Sequence, residues 1–227
     1  MSLRIIGGTY RRRHLKTPHG KTTRPYTDRV RQIVFDRLGD SVESARVADV
    51  FSGVGTMGLE ALSRGAASCV FIEGDPDVHE SLTENVGKIV VDQPTVCWKT
   101  SVHRTSFCPK NADACLPYDL IFFDPPYVQC PLMNDGGVLA KSLDRLSKPR
   151  VSAEDARLIL RTPFRFDFCE SAAWKIHECW RISSMKIYTL RKFAPDTAAD
   201  GELDTSTERP VDATDDRAAE LQEEELT

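Results

Sequence analysis

Residues 49–58 read Asp49-Val50-Phe51-Ser52-Gly53-Val54-Gly55-Thr56-Met57-Gly58. An apolar run ends here in Gly-x-Gly-x-x-Gly, formed by Gly53, Gly55 and Gly58, and a helical pattern follows. Glycines in a strand–loop–helix turn let the backbone approach a ligand closely, and the helix N-terminus behind them offers N–H groups to an anion. Glu73 closes the next predicted strand, where a carboxylate can accept both hydroxyl hydrogens of a ribose. The constellation indicates a nucleoside cofactor and leaves its identity open. A nicotinamide dinucleotide would rest its pyrophosphate on the loop, whereas S-adenosylmethionine would place its amino-acid portion there and its ribose on Glu73.

Outward from this loop, short apolar runs alternate with helical stretches. Strands are expected at 46–51, 68–73, 95–99, 118–124 and 157–161, and helices at 56–65, 76–90 and 135–147. Asp75 caps the second of these helices, and Pro76 sits in its first turn, where a missing N–H costs nothing. Such alternation predicts an α/β fold with a mostly parallel, Rossmann-like sheet covered on both faces. Near the end, 174–182 and 186–193 flank Ser183-Ser184 and read as an antiparallel hairpin. At the start, 3–8 and 9–15 read as two short strands around Gly7-Gly8, followed by an irregular loop marked by Pro18, Gly20 and Pro25. A helix should begin at Thr27 as its cap, bury Val30, Ile33, Val34 and Leu38, stop at Gly39, and leave its Arg29/Arg31 side open.

The chain has 227 residues, 41% hydrophobic and 28% charged, ample for a self-sufficient core. No apolar stretch approaches the ~20 residues of a membrane span, and the first residues lack the pattern of a secretory leader, so a cytoplasmic protein is expected. Seven cysteines without Cys-x-x-Cys or zinc-finger spacing are expected as reduced thiols, with no metal. The net charge of −4 hides a split: residues 195–227 hold twelve Asp or Glu against two Arg, which leaves +6 on residues 1–194. That acidic tail is too poor in apolar residues to offset its ordering entropy and is expected to be disordered, solvating the C-terminus. Residues 1–37 instead hold ten Lys or Arg against Asp28 and Asp36. Arg4, Arg11, Arg12, Arg13, Lys16, Arg24, Arg29 and Arg31, interleaved with Tyr10, His14 and Tyr26, suit phosphate neutralisation with stacking on unpaired bases. The expected layout is a basic extension over 1–40, a catalytic domain over 41–194 and the tail.

A second loop separates the cofactor alternatives. Tyr118-Asp-Leu-Ile-Phe-Phe-Asp-Pro-Pro-Tyr127 delivers Asp124, Pro125, Pro126 and Tyr127 at the carboxyl end of a strand, where open α/β sheets bind ligands. The two prolines restrict the turn before any ligand arrives. An exocyclic amine on a base has its lone pair delocalised into the ring. Acceptors such as Asp124 and the carbonyl of Pro125 can hold its hydrogens so as to free that pair, while Tyr127 stacks on the base and fixes its plane. This chemistry needs neither a metal nor a nucleophilic side chain. A dehydrogenase would need a hydride-transfer site, for which the five histidines show no motif.

These residues carry a resemblance. The glycine loop with Asp-Pro-Pro-Tyr resembles class I S-adenosylmethionine-dependent amino-methyltransferases. Arg4-Ile-Ile-Gly-Gly, Thr23-Arg-Pro-Tyr-Thr-Asp-Arg-Val-Arg31 and Gly58-Leu-Glu-Ala-Leu-Ser-Arg-Gly-Ala66 look like the RsmD family, which methylates the exocyclic N2 amine of a guanine in small-subunit (16S) ribosomal RNA. The resemblance spans about residues 3–193 and implies a seven-stranded sheet ending in an antiparallel hairpin. It implies a cofactor site at Asp49, Phe51, Gly53, Gly55, Gly58, Glu73 and Ser101, a base site at Asp124 to Tyr127, and an RNA-binding N-terminal segment. The expected partner is ribosomal RNA in a partly assembled small-subunit particle, bound by a monomer. This chain departs from the family at Ser101, where an Asp or Asn usually faces the adenine, and at Arg12, where a Gly is usual. Adenine N6 in DNA or a protein glutamine would suit the same site, and a non-catalytic RNA-binding module the same fold.

Overall fold

In the computed structural model, which describes residues 3–18, 26–90, 92–134 and 136–193, seven strands form one sheet. They are β1 (Arg46–Val50), β2 (Ser68–Glu73), β3 (Thr95–Lys99), β4 (Tyr118–Phe123), β5 (Ser152–Pro163), β6 (Trp174–Ile182) and β7 (Met185–Lys192), in the order β3-β2-β1-β4-β5-β7-β6. The first five run parallel, and β7 pairs antiparallel with both β5 and β6. Strand order reverses between β1 and β4, which opens a crevice at their carboxyl ends.

Four α-helices cover the sheet. Thr27 accepts from the Val30 N–H and starts α1 (Asp28–Leu38), with Asp28 in the positive first turn; Gly39, at φ 51°, ends it. The others are α2 (Thr56–Ser63), α3 (Pro76–Ile89) capped by Asp75, and α4 (Val138–Leu146). One core face joins Val34 and Phe35 of α1, Leu59 of α2 and Leu82 of α3 to Val47, Phe71 and Phe122 of the sheet. The opposite face joins Leu139 and Leu143 of α4 to Val50, Ile121, Phe123 and Leu160. The basic extension belongs to the first of these cores, through Ile5, Tyr10, Leu15 and Tyr26.

Several boundaries differ from the sequence pattern, for local reasons. β1 stops at Val50 because Phe51 turns to φ 61°. β5 begins five residues earlier than expected and continues to Pro163, which lies opposite Met185 of the antiparallel neighbour. The two N-terminal strands reduce to a single bridge, Arg4 to His14. There the backbone donors turn to helix α2 instead: Ile6 and Gly7 N–H donate to Glu60 at 2.8 and 2.9 Å, Thr9 N–H to the Ser63 carbonyl, and Tyr10 N–H to Ser63 Oγ. Gly8 makes this approach possible, since a Cβ there would lie 1.8 Å from the Ser63 carbonyl oxygen. The loop around Gly20 and Pro25, with Arg24, and the acidic tail over 195–227 lie outside the described residues.

Candidate active site

The two loops singled out in the sequence meet at the crevice. β1 and β4 are neighbours, Asp49 opposite Phe122 and Val50 opposite Phe123, so the glycine loop and Asp124 leave the sheet side by side. The Asp124 N–H donates to the Val50 carbonyl, and Phe51 sets its ring edge-on to Phe123 at 5.5 Å. Phe51 thus packs the start of the glycine loop against the end of β4.

On the glycine side, Asp49 is buried and accepts the Gly58 N–H through Oδ2 at 2.8 Å. Burial pushes its carboxyl up to about 8, against the pull of that N–H, and the charges of Asp124 and Glu73 push the same way. Glu73 accepts the Gly53 N–H at 2.9 Å and the Asp75 N–H at 2.8 Å, so it braces both the glycine loop and the start of α3. Burial also raises its carboxyl, while those N–H groups oppose the shift. Gly53 looks onto open space: a Cβ there would meet nothing within 4 Å. Gly58 is different. Its absent side chain makes room for Phe71 and Cys69, at 2.4 and 2.7 Å from a built Cβ, so Gly58 packs helix on strand and its N–H already serves Asp49. Ser101 is exposed just past β3, with its neighbour Thr100 against Gly74.

On the other side, Asp124 does not stand alone. Arg161, near the end of β5, grips it with a two-pronged guanidinium, Nε to Oδ1 and Nη2 to Oδ2, both at 2.6 Å. Burial pushes the Asp124 carboxyl up, and Arg161 pulls it back; the Arg161 guanidinium is held firmly protonated by the same contact. Arg161 lies over the Tyr26 ring at 4.2 Å and 5.7 Å from the Tyr127 ring. Its remaining nitrogen, Nη1, is buried with no hydrogen-bond partner among the described residues. Pro125 is buried, Pro126 exposed and Tyr127 half-buried at the mouth.

Sequence reasoning missed Arg161, although a charged residue closing the apolar run Leu158-Ile159-Leu160 at the carboxyl edge was the available signal. It also assigned Tyr26 to base stacking. Tyr26 is 2% exposed and lies beneath Arg161, and Tyr10 is likewise buried, with its hydroxyl on Gln93. Nor does the Arg31 side of α1 stay open. Arg31 is fully buried, donates to the Arg4 carbonyl and to Asp28 at 2.7 Å, and faces the buried Glu60. Arg31 is therefore withdrawn from the candidate RNA contacts. Of the rest, Arg11, Arg12, Arg13, Lys16 and Arg29 are exposed. Arg4 is paired with Asp28, Lys16 with Glu84, and Arg13 donates to the carbonyls that end α3. Arg12 adopts φ 71°, which explains why a glycine suits that position.

All seven cysteines are free thiols. Among the described residues no cluster of His, Cys, Asp or Glu is placed to hold a metal, and no helix is long and apolar enough to cross a membrane.

Fold and site together define a class I methyltransferase: a seven-stranded sheet with reversed order at β1/β4, a glycine loop and Asp-Pro-Pro-Tyr on adjacent strand ends. Within that class the chain belongs to the family described as Conserved hypothetical protein 95, the RsmD family, which matches residues 3–188. It is 35% identical over 144 residues to the Ribosomal RNA small subunit methyltransferase D of Escherichia coli, covering 61% of this chain and 70% of that protein. To the protein of the same name in Haemophilus influenzae it is 33% identical, over 55% of this chain and 64% of that one. The solved structure of Escherichia coli yhhF superposes with a TM-score of 0.67 at 28% identity, covering 86% of this chain and all of that one. An RNA methyltransferase from Salinibacter ruber, solved with S-adenosyl-L-homocysteine, shares the fold at a TM-score of 0.53 and 14% identity, over 78% of this chain and 97% of that one.

Proposed function

We propose that this chain transfers a methyl group from S-adenosylmethionine to the exocyclic N2 amine of a guanine in 16S ribosomal RNA. The observation that carries this reading is the adjacency of the two loops, an acid-lined glycine cradle after β1 beside Asp124 and Tyr127 after β4. The cradle fits the donor. Open space at Gly53 leaves room for a ligand against the backbone, and Asp49 and Glu73 are two carboxylates suited to a ligand that carries positive charge and ribose hydroxyls. When bound, S-adenosylmethionine supplies a methyl group made electrophilic by its sulfonium.

The protein's own part is to hold the acceptor. Asp124 accepts one hydrogen of the amine and takes up the proton that the nitrogen sheds on methylation. The Pro125 carbonyl holds the other hydrogen, and Tyr127 stacks on the base and fixes its plane. A base reaches this pocket only when unpaired or flipped, since a stacked one hides its amine. Exposed Arg11, Arg12, Arg13, Lys16 and Arg29, with Arg24, hold the RNA backbone, so residues 1–40 act as the RNA-binding extension of the catalytic domain. The substrate is a partly assembled small-subunit particle in the cytoplasm, met by a monomer that carries no metal.

The test is methyl incorporation into small-subunit RNA by wild type and Asp124→Ala, with the product digested and weighed by mass spectrometry. N2-methylguanosine made by the wild type and lost in the variant is expected. N6-methyladenine, or undiminished activity in the variant, overturns the assignment.

A further inference from the structure

Asp124 is gripped through both of its oxygens, and this bears on how a carboxylate can serve an incoming amine. Each carboxylate oxygen has two acceptor positions. Arg161 takes one on each, through Nε and Nη2 at 2.6 Å, which fixes the plane of the carboxylate and leaves the outer position of each oxygen for another donor. The guanidinium itself is not free to move. Arg161 is 6% exposed, Tyr26 supports it from the N-terminal segment, and the Tyr127 ring lies 5.7 Å away. Among the described residues, the charged and titratable groups around the carboxylate are Arg161 from β5, Tyr26 from the segment before α1, Tyr127 and Cys130 from the turn after β4, and Asp49 from β1. Arg161 is the one cation among them.

We propose that Arg161 is a positioning residue for the methyl transfer, holding Asp124 as an oriented carboxylate whose outer acceptor positions face the amine of the target base. This rests on the function proposed above and names a part of the site that the family resemblance does not. Without Arg161, the largely desolvated carboxylate is left beside Asp49 with no counter-charge among the described residues. It then takes up a proton, and a protonated acid presents a donor where the amine needs an acceptor.

The experiment compares pH–rate profiles and melting temperatures of wild type, Arg161→Met and Arg161→Lys between about pH 5.5 and 9. Arg161→Met is expected to lose about tenfold or more in kcat at neutral pH and to recover as pH rises, its acid limb displaced upward from that of the wild type, with KM for S-adenosylmethionine unchanged. Its melting temperature should fall more steeply with rising pH than that of the wild type. A carboxyl whose folded-state value lies above its unfolded value favours folding fully at low pH, and that advantage is lost as pH rises through the folded value. Arg161→Lys keeps the charge without the fork, so its acid limb stays with the wild type while kcat falls about tenfold.

A Met variant whose loss is equal at every pH overturns the proposal, as does either variant with a wild-type profile. Should the Met variant not fold, the Lys variant decides: a rise in KM for RNA in place of the fall in kcat overturns it. Rates are taken as ratios to wild type on whichever substrate accepts methyl, so a product other than N2-methylguanosine rejects the guanine reading and leaves this inference intact. A wild type that methylates nothing leaves the melting curves to decide.

Discussion

Asp49 and Asp124 leave neighbouring strands of one sheet, a few residues from the same crevice, and burial raises both carboxyls. They differ in company. Asp124 has a cation built against it, whereas Asp49 has one backbone N–H, and burial, with a smaller push from the carboxylates of Asp124 and Glu73, takes it up to about 8. The difference follows from what each is proposed to meet. A sulfonium donor with an ammonium group brings positive charge, so the pocket proposed for it needs none of its own. A guanine is neutral. Its acceptor must be charged beforehand, and the protein provides the cation.

The strongest challenge to this contrast is Asp124→Ala, for which methyl transfer should fall about a hundredfold or more while donor binding by calorimetry stays near wild type. An equal loss of donor affinity would mean that the two carboxylates are not specialised. Tyr127→Ala should follow, with about ten- to a hundredfold lost in kcat/KM, since stacking on one base contributes roughly 1–3 kcal/mol. Asp49→Asn tests the donor side. It keeps an acceptor for the Gly58 N–H but cannot ionise, so donor affinity should fall about tenfold. Its stability should also lose a pH dependence. The raised Asp49 carboxyl favours the folded wild type at low pH and loses that advantage as pH climbs through about 8, so wild type should melt progressively lower than Asp49→Asn between pH 5 and 9. Smallest is the effect of Arg11→Ala with Arg12→Ala: RNA affinity should drop several-fold at low salt, and the salt slope by about one for each phosphate contact removed, with donor affinity unchanged.

Much of this fold is legible in the sequence. β2 and β3 ran as the alternation implied, Thr27 and Asp75 capped the helices they were expected to cap, and the sheet ended in its hairpin. Those are local signals, carried by caps, turns and periodicity within a few residues. Arg161 and Tyr26 were not legible, because what gives them meaning is a neighbour more than thirty or a hundred positions away, brought close by the sheet. Arg31 is a subtler failure. It stands four residues before Phe35 and seven before Leu38, on the stripe that α1 buries, a spacing that its charge masks. What keeps it inside is Asp28, the Arg4 carbonyl and the nearby Glu60, partners that helical periodicity does not reveal. Gly58 fitted the fingerprint for a reason other than ligand contact, since its missing side chain serves the helix–strand seam.

The ring of Tyr26 beneath Arg161 carries an engineering consequence. The first forty residues look like a detachable handle, yet one of their side chains forms the floor under the pair that is proposed to run the chemistry. Splicing a foreign RNA-binding module in their place would therefore cripple turnover even on a substrate it gripped well, because recognition and reactivity share a joint.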